Sequence, residues 1–168
     1  MKIISIFGGP GVGKTTTAEE LSAKLKRKHI SCEYVSEFAK GLTFDKSFGQ
    51  LENQIYVFGN QHHWLLRASA HKPDYIITDA PLFNSIVYSG KGEDHKHFHN
   101  HVMHEFNRYE NINIYIDREI EYKQEGRYQD LEGAKKVDAE ILRCFEVFNV
   151  PFHKVGIENS VEEIMRLI

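Results

Sequence analysis

A glycine-rich phosphate-binding motif near the N-terminus limits the fold of this chain more than any other feature. Its pattern is G-x-x-x-x-G-K-[ST], and every fixed position is matched by residues 8–15. An apolar run at residues 3–7 precedes it, and a helical pattern begins at Lys14, which is the context that this motif requires. A glycine-rich turn without a ligand is the alternative, and the complete match disfavours it.

The residue types of this motif predict a site for ATP and Mg²⁺. Glycines let successive backbone N–H groups point at phosphate oxygens, and the N-terminus of the following helix adds a positive potential. Lys14 is expected to reach the β- and γ-phosphates, the Thr15 hydroxyl to coordinate Mg²⁺, and Thr16 to contact the α-phosphate. The predicted nucleotide-binding residues are Gly8, Gly9, Pro10, Gly11, Val12, Gly13, Lys14, Thr15 and Thr16.

Apolar runs alternate with helical patterns along the whole chain. Strands are predicted at residues 3–7, 32–35, 75–79, 112–117 and 152–155, and helices from Lys14, at 51–70 and 95–109, along the stripe 137–148, and from Ser160. Ser160 and Glu163 have the spacing of a capping box. This alternation predicts an α/β fold with a parallel sheet and helices on both faces, in one domain over residues 1–168. Sites in such sheets lie beyond the carboxyl ends of the strands.

Two carboxylates follow predicted strands at this edge of the sheet. Asp79 ends the third strand, where its carboxylate could hold Mg²⁺ together with Thr15. Alternatively, Asp79 could cap a helix that begins near Pro81. Glu37 follows the second strand, where it could orient an acceptor hydroxyl or take its proton; a solvated glutamate at a helix start is the alternative.

The polar segment at about 118–130 is a candidate lid. It contains Arg118, Lys123 and Arg127, with Gly126 for local flexibility. Cations beside the phosphates would offset the charge on the transferred group, and a closed segment would exclude water. Arg127 and Arg118 are therefore candidate catalytic residues, and an ordinary solvated loop is the alternative.

Histidines and aromatic residues form two further groups. One group contains the histidines at 95, 97, 99, 101 and 104. The sequence around them does not supply the acidic partners that would complete a set of metal ligands. We therefore expect these histidines to be exposed or to contact the acceptor, rather than to bind a metal. The second group could stack on a base or pack in the core. Its members are Phe44, Phe48, Trp64, Arg67 and Tyr88.

Composition excludes several classes of protein. The net charge is -3, so no global basic field indicates a nucleic acid or membrane as partner. The two cysteines lack zinc-type spacing, and no signal peptide or membrane-spanning stretch is evident. A cytoplasmic location is expected.

Taken together, these motifs resemble the nucleoside and nucleotide kinase group of P-loop proteins. More narrowly, the chain resembles the ribosylnicotinamide kinase domain of bacterial NAD-biosynthesis regulators and related small phage P-loop kinases. The resemblance includes the phosphate loop, residues 34–40, 77–79 and 125–127. It implies a sheet order of 2-3-1-4-5, ATP with Mg²⁺, Glu37 on the acceptor side, and Arg127 in the lid. Many deoxynucleoside kinases have arginine after the strand-three acid, whereas Asp79 precedes Ala80 and Pro81.

The leading hypothesis is a kinase that transfers the γ-phosphate of ATP to a small nucleoside or nucleoside monophosphate. One alternative is a kinase acting on a nucleic-acid end or on a modified base in DNA, which the acidic balance disfavours. Another is a regulatory P-loop ATPase, which would need a water-positioning residue. The acceptor and the oligomeric state stay open, with a homodimer among the alternatives.

Overall fold

The computed structural model describes residues 1–90, 95–119 and 130–168. These residues form five strands and eight helices. The strands are β1 (Lys2–Phe7), β2 (Cys32–Val35), β3 (Tyr75–Thr78), β4 (Glu110–Ile116) and β5 (His153–Val155). The helices are α1 (Lys14–Arg27), α2 (Phe38–Phe44), α3 (Phe48–Glu52), α4 (Gln54–Ser69), α5 (Asn84–Tyr88), α6 (Lys96–Phe106), α7 (Leu131–Val147) and α8 (Ser160–Leu167).

The strands form one parallel sheet in the order β2-β3-β1-β4-β5, as the resemblance implied. β1 lies in the centre, with Ile4 aligned with Ile77 of β3 and with Ile112 of β4. Because side chains alternate along a strand, Ile3 and Phe7 pack into the core on one face of the sheet, whereas Ile4 packs on the other. The predicted α/β fold class is therefore confirmed.

Helices cover both faces of the sheet. Leu21 and Leu25 of α1 pack with Ile164 of α8 on one face. On the other face, α4 to α7 enclose an aromatic core in which the Phe7 ring meets Phe145 edge-on at 4.8 Å between centroids. Within the described ranges, no helix is long and apolar enough to cross a membrane.

Two local predictions need correction. The helix predicted over 51–70 is divided into α3 and α4 at Asn53, whose side chain accepts a hydrogen bond from the Tyr56 backbone N–H and so caps α4. The predicted capping box of α8 is wrong. Asn159 is the N-cap residue, and no side chain caps the helix. The Ser160 hydroxyl is instead buried 3.0 Å from the Thr17 hydroxyl, because α8 packs on α1.

The candidate lid is only partly within the described residues. Arg118 and Asp130 are described, whereas residues 120–129, with Lys123 and Arg127, lie outside them. The role assigned to Arg127 therefore stays a prediction.

Candidate active site

The phosphate loop joins the central strand β1 to α1, and three of its glycines have positive φ angles. Gly13 precedes α1 with φ +95°, and Gly8 has φ +142°. Residues that carry a Cβ rarely adopt these backbone conformations. A Cβ at Gly8 would also lie 2.7 Å from Val12 Cγ2 and 2.9 Å from the Ile116 carbonyl oxygen. The sequence therefore folds here into a tight loop against the end of β4.

Lys14 is the central charge of the site. Its ammonium group donates a hydrogen bond to the Gly9 carbonyl oxygen at 3.0 Å. Burial lowers the pKa of Lys14, and the negative charges of Glu37, Asp79 and Asp138 act in the opposite direction. Three carboxylates from distant parts of the chain thus surround the lysine of the phosphate loop.

Asp79 lies directly after β3 and is 2% exposed. Its Oδ2 accepts a hydrogen bond of 2.5 Å from the Thr15 hydroxyl. Helix α5 begins at Asn84 after Phe83, so Asp79 is not its cap residue. The structure therefore brings together the two side chains that the sequence proposed for the metal side.

These two oxygen donors fit a magnesium ion. Asp79 Oδ1 is buried and, among the described residues, makes no hydrogen bond of ordinary geometry. The Tyr34 hydroxyl lies nearby, since burial first and the charge of Asp79 next raise the pKa of Tyr34. Mg²⁺ prefers oxygen ligands and is commonly held by one or two protein groups together with the phosphates of a nucleotide. Thr15 and Asp79 would hold it here, where the ion would neutralise charge on the phosphate oxygens.

Glu37 follows β2 and immediately precedes α2, and its side chain makes no capping hydrogen bond to that helix. It is partly buried beside the phosphate loop rather than solvated. Burial raises the pKa of Glu37, and the nearby positive charge of Lys14 offsets part of this rise. A carboxyl group with a raised pKa can accept a proton more readily than an ordinary glutamate.

Gln61 of α4 fixes the backbone on both sides of Glu37. Its Oε1 accepts a hydrogen bond from the Phe38 N–H at 2.9 Å, and its Nε2 donates one to the Ser36 carbonyl at 3.0 Å. The side chain is 6% exposed. Both hydrogen bonds are partly buried and hold the backbone on either side of Glu37, so Gln61 restricts where the Glu37 side chain can lie.

Arg118 follows β4 by two residues and is drawn into the same region. Its Nε donates a hydrogen bond of 2.7 Å to Oδ2 of Asp138 on α7. The other carboxylate oxygen of Asp138 accepts one of 2.6 Å from the Gly9 backbone N–H. Arg118, proposed from the sequence as a catalytic cation, therefore lies beside the phosphate loop.

A cavity of about 310 Å³ opens beside Lys14 and Glu37. Its walls come from the phosphate loop, α2, α3, α4, the segment after β3, and α5. Besides these two residues it is lined by Pro10, Ala39, Lys40, Thr43, Phe48, Leu51, Glu52, Gln54, Val57, Gln61, Ala80, Pro81, Asn84, Ser85 and Tyr88. The volume lies within the usual range of small-molecule sites, about 300–1,000 Å³.

Phe48 and Tyr88 are the residues of the predicted aromatic group that line this cavity. Trp64 instead packs against the core and meets the Phe38 ring edge-on at 5.4 Å. Phe44 and Arg67 are exposed. The aromatic group is therefore divided between the cavity, the core and the surface.

The histidines lie apart from the phosphate loop. His99 Nε2 is 2.8 Å from the Ser89 hydroxyl, and His95 stacks on His99 with 6.0 Å between ring centroids. His101 lies edge-on to Phe58, and His104 Nε2 is 4.0 Å from Glu105. Among the described residues, no three potential metal ligands are grouped together.

Gln61 and Asp138 are functional candidates that the sequence reasoning missed. The sequence does mark both residues, because each is a polar residue on an apolar helical stripe. Gln61 lies between Phe58 and Leu65 in α4, and Asp138 lies between Ala134 and Ile141 in α7. A buried polar side chain at such a position needs hydrogen-bond partners, which marks it for attention.

Comparisons with known proteins agree with this fold. The sequence profile of a family described as AAA domain (AAA_28) matches residues 3–163. No curated protein matches the chain at a significant level.

Two solved structures of deoxyadenosine kinase from M. mycoides have the same fold. Each is 22% identical in sequence, and the similarity covers 99% of this chain and 98% of theirs. The structure with the products dCMP and a flexible dCDP bound has a TM-score of 0.61, and the one with bound dATP has 0.62. At this identity the likeness establishes the fold alone.

The raised pKa of Glu37 predicts a stability change that depends on pH. Below the ordinary value of 4.5, the carboxyl is mostly protonated both in the folded and in the unfolded chain. As pH rises towards the raised pKa, the folded state keeps a proton that the unfolded state has lost, so stability falls. We therefore expect Glu37→Gln to raise the thermal unfolding midpoint at pH 8 and to change it little at pH 4.

Differential scanning calorimetry of wild type and variant at both pH values measures this effect. Glu33→Gln, which changes an exposed carboxylate of β2, is the matched control and should shift neither midpoint. A Glu37→Gln protein that is less stable than wild type at pH 8 would show that pairing with Lys14 outweighs burial.

The Gln61 hydrogen bonds predict a second stability effect. Gln61→Met keeps the length of the side chain but leaves the Phe38 N–H and Ser36 carbonyl without their partner. We expect the free energy of unfolding to fall by about 1–2 kcal/mol, because two partly buried hydrogen bonds are lost. Urea denaturation measures the loss, and hydrogen exchange of the Phe38 amide should become faster.

Asn60→Ala is the control, because the Asn60 side chain donates only an exposed hydrogen bond to the Tyr56 carbonyl of the same helix. Its effect should stay within about 0.5 kcal/mol. Equal losses in the two variants would mean that Gln61 contributes nothing particular to the segment around Glu37.

Proposed function

This chain belongs to the AAA domain family, and we propose that it is an ATP-dependent kinase that transfers the γ-phosphate to a small nucleoside or nucleoside monophosphate. One observation carries the proposal. The lysine of the phosphate loop and the carboxylate of Glu37 both line a single cavity of about 310 Å³. A phosphate donor and a hydroxyl acceptor could therefore meet at Lys14.

The cavity has the mixed lining that a nucleoside requires. Phe48 and Tyr88 offer aromatic surfaces for a flat base. Gln54 and Asn84 carry side-chain amides, and Asn84 Oδ1 is buried with no hydrogen-bond partner among the described residues. Amides present both donors and acceptors, which are the groups that bases and sugars need.

In the proposed reaction, Glu37 faces the acceptor hydroxyl and orients it. The hydroxyl oxygen forms a bond to the γ-phosphorus, the bond from that phosphorus to the bridging oxygen of ADP breaks, and the hydroxyl proton passes to the Glu37 carboxylate. The loose transition state of phosphoryl transfer asks mainly for position and charge, so the placement of Glu37 matters more than its basicity.

Cations are proposed to stabilise the charge on the transferred group. Lys14 and Arg118 lie at the phosphate loop, and Thr15 with Asp79 would hold Mg²⁺. Arg127, which lies outside the described residues, is proposed to join them from the lid at about 118–130.

Three chemical classes of acceptor are proposed. The resemblance to ribosylnicotinamide kinase domains suggests nicotinamide riboside, and the fold shared with deoxyadenosine kinase suggests deoxynucleosides. A monophosphate acceptor would need further cations, and Lys40 is one that lines the cavity. All three classes of acceptor therefore belong in the first assay.

The proposal predicts ADP formation that depends on both an acceptor and Lys14. Purified protein with ATP and Mg²⁺ is assayed with nicotinamide riboside, the common deoxynucleosides and their monophosphates. Lys14→Ala should lower turnover at least about hundredfold, as expected when an electrostatic contact to the transition state is lost. Glu37→Gln should lower kcat more than it weakens ATP binding.

Lys26→Ala, which removes an exposed lysine of α1, is the control and should match wild type. Equal ADP formation without any acceptor would favour a regulatory ATPase. Turnover only with DNA or RNA ends or with modified DNA would favour the nucleic-acid alternative. Wild-type kcat in Glu37→Gln would remove that residue from the mechanism.

A further inference from the structure

Asp138 connects two parts of the chain that the proposed reaction uses. Its Oδ1 accepts a 2.6 Å hydrogen bond from the Gly9 backbone N–H, and its Oδ2 accepts a 2.7 Å hydrogen bond from Arg118 Nε. The side chains of Arg118 and Asp138 are only 13% and 14% exposed. The carboxylate therefore forms a bridge between the phosphate loop and the arginine that follows β4.

The packing at Gly9 shows how closely these parts approach each other. A Cβ at this position would lie 2.8 Å from the Ala134 carbonyl oxygen and 2.9 Å from Arg118 Nη2. Gly9 does not have a positive φ, so the backbone conformation alone would tolerate a larger residue. Glycine is needed here because α7 and the guanidinium group both contact the loop.

The contact between Arg118 and Asp138 is a charge-assisted hydrogen bond between two poorly exposed side chains. Hydrogen bonds between charged partners are about twice as strong as neutral ones. The charges of Asp138 and Arg118 act on the pKa of Lys14 in opposite directions, as expected for groups that lie near the phosphate-loop lysine. A partly buried arginine with a fixed Nε also loses little further side-chain freedom when it binds an anion.

We propose that Asp138 is a positioning residue that holds the Arg118 guanidinium against the phosphate loop, oriented toward the phosphoryl group that is transferred. The inference rests on the proposed kinase function. Groups that stabilise a transition state are most effective when they are already in place before the reaction. Asp138 acts through Arg118 and does not itself contact the substrate.

Asp138→Asn is the direct test. Asparagine keeps the size and can still accept from the Gly9 N–H, but it lacks the charge that pairs with Arg118. We expect kcat to fall about tenfold to hundredfold, in line with the loss of one oriented charged contact, while the KM for ATP changes less than kcat. The thermal unfolding midpoint should fall, because Arg118 loses the charge that pairs with its poorly exposed Nε–H, so activities are compared at a temperature well below both midpoints.

Arg118→Lys is the second variant, and it keeps the positive charge without the planar group that Asp138 orients. It should show a similar loss of kcat. The double variant should be no worse than either single one, because both changes remove the same contact. Glu140→Gln is the matched control, since it removes the carboxylate charge that pairs with another arginine of the same helix, Arg143.

A readout without turnover separates this inference from the proposed function. In proton–nitrogen NMR spectra, the Arg118 Nε–H signal should be protected from exchange in wild type and in Glu140→Gln, and lost in Asp138→Asn. Wild type that has this signal but no acceptor-dependent activity would contradict the kinase proposal. Full kcat in Asp138→Asn, or losses that multiply in the double variant, would overturn the role of Asp138 in an active kinase.

Discussion

The structure depends on placing the positive charge of Lys14 in a partly buried site. Burial disfavours a charged lysine and lowers the pKa of Lys14, and the charges of Glu37, Asp79 and Asp138 offset part of this effect. The lysine begins α1, two of the carboxylates follow neighbouring strands, and the third comes from α7. A parallel sheet brings such groups to the carboxyl edge of its strands, so the fold and the site are the result of the same topology.

The balance of these charges also connects stability with function. Glu37 is held in a position where burial disfavours its charged form, and Gln61 keeps the backbone there by two hydrogen bonds. In a glutamate exposed to water, the charged form would not be disfavoured by burial, but the carboxylate would not face an acceptor. Local strain or unfavourable charge at such positions is typical of sites whose arrangement serves a reaction.

Much of this could be predicted from the sequence, because the relevant signals are local. The phosphate loop is a contiguous motif, and Asp79 and Glu37 are placed by the strands that they follow. The sheet order came from the family resemblance and is confirmed by the strand pairing. The capping box at Ser160 failed because a local motif competed with tertiary packing, in which the Ser160 hydroxyl pairs with Thr17.

Contacts between distant residues could not be predicted in this way. Asp138 and Gly9 are 129 positions apart, and nothing near either residue specifies the other. Gln61 and Asp138 were visible only as polar residues on apolar stripes, a signal that indicates buried hydrogen bonds without naming their partners. In chains of this fold, a polar residue on an apolar helical stripe is therefore a candidate site residue.

The fate of the γ-phosphate separates a kinase from an ATPase. Phosphorus NMR would follow wild-type protein with ATP, Mg²⁺ and a mixture of nicotinamide riboside, deoxynucleosides and deoxynucleoside monophosphates, beside a sample without acceptor. We expect ADP together with a new phosphorylated acceptor, and little inorganic phosphate in either sample. Inorganic phosphate at equal rates with and without acceptor, or unchanged ATP in both samples, would contradict the kinase proposal.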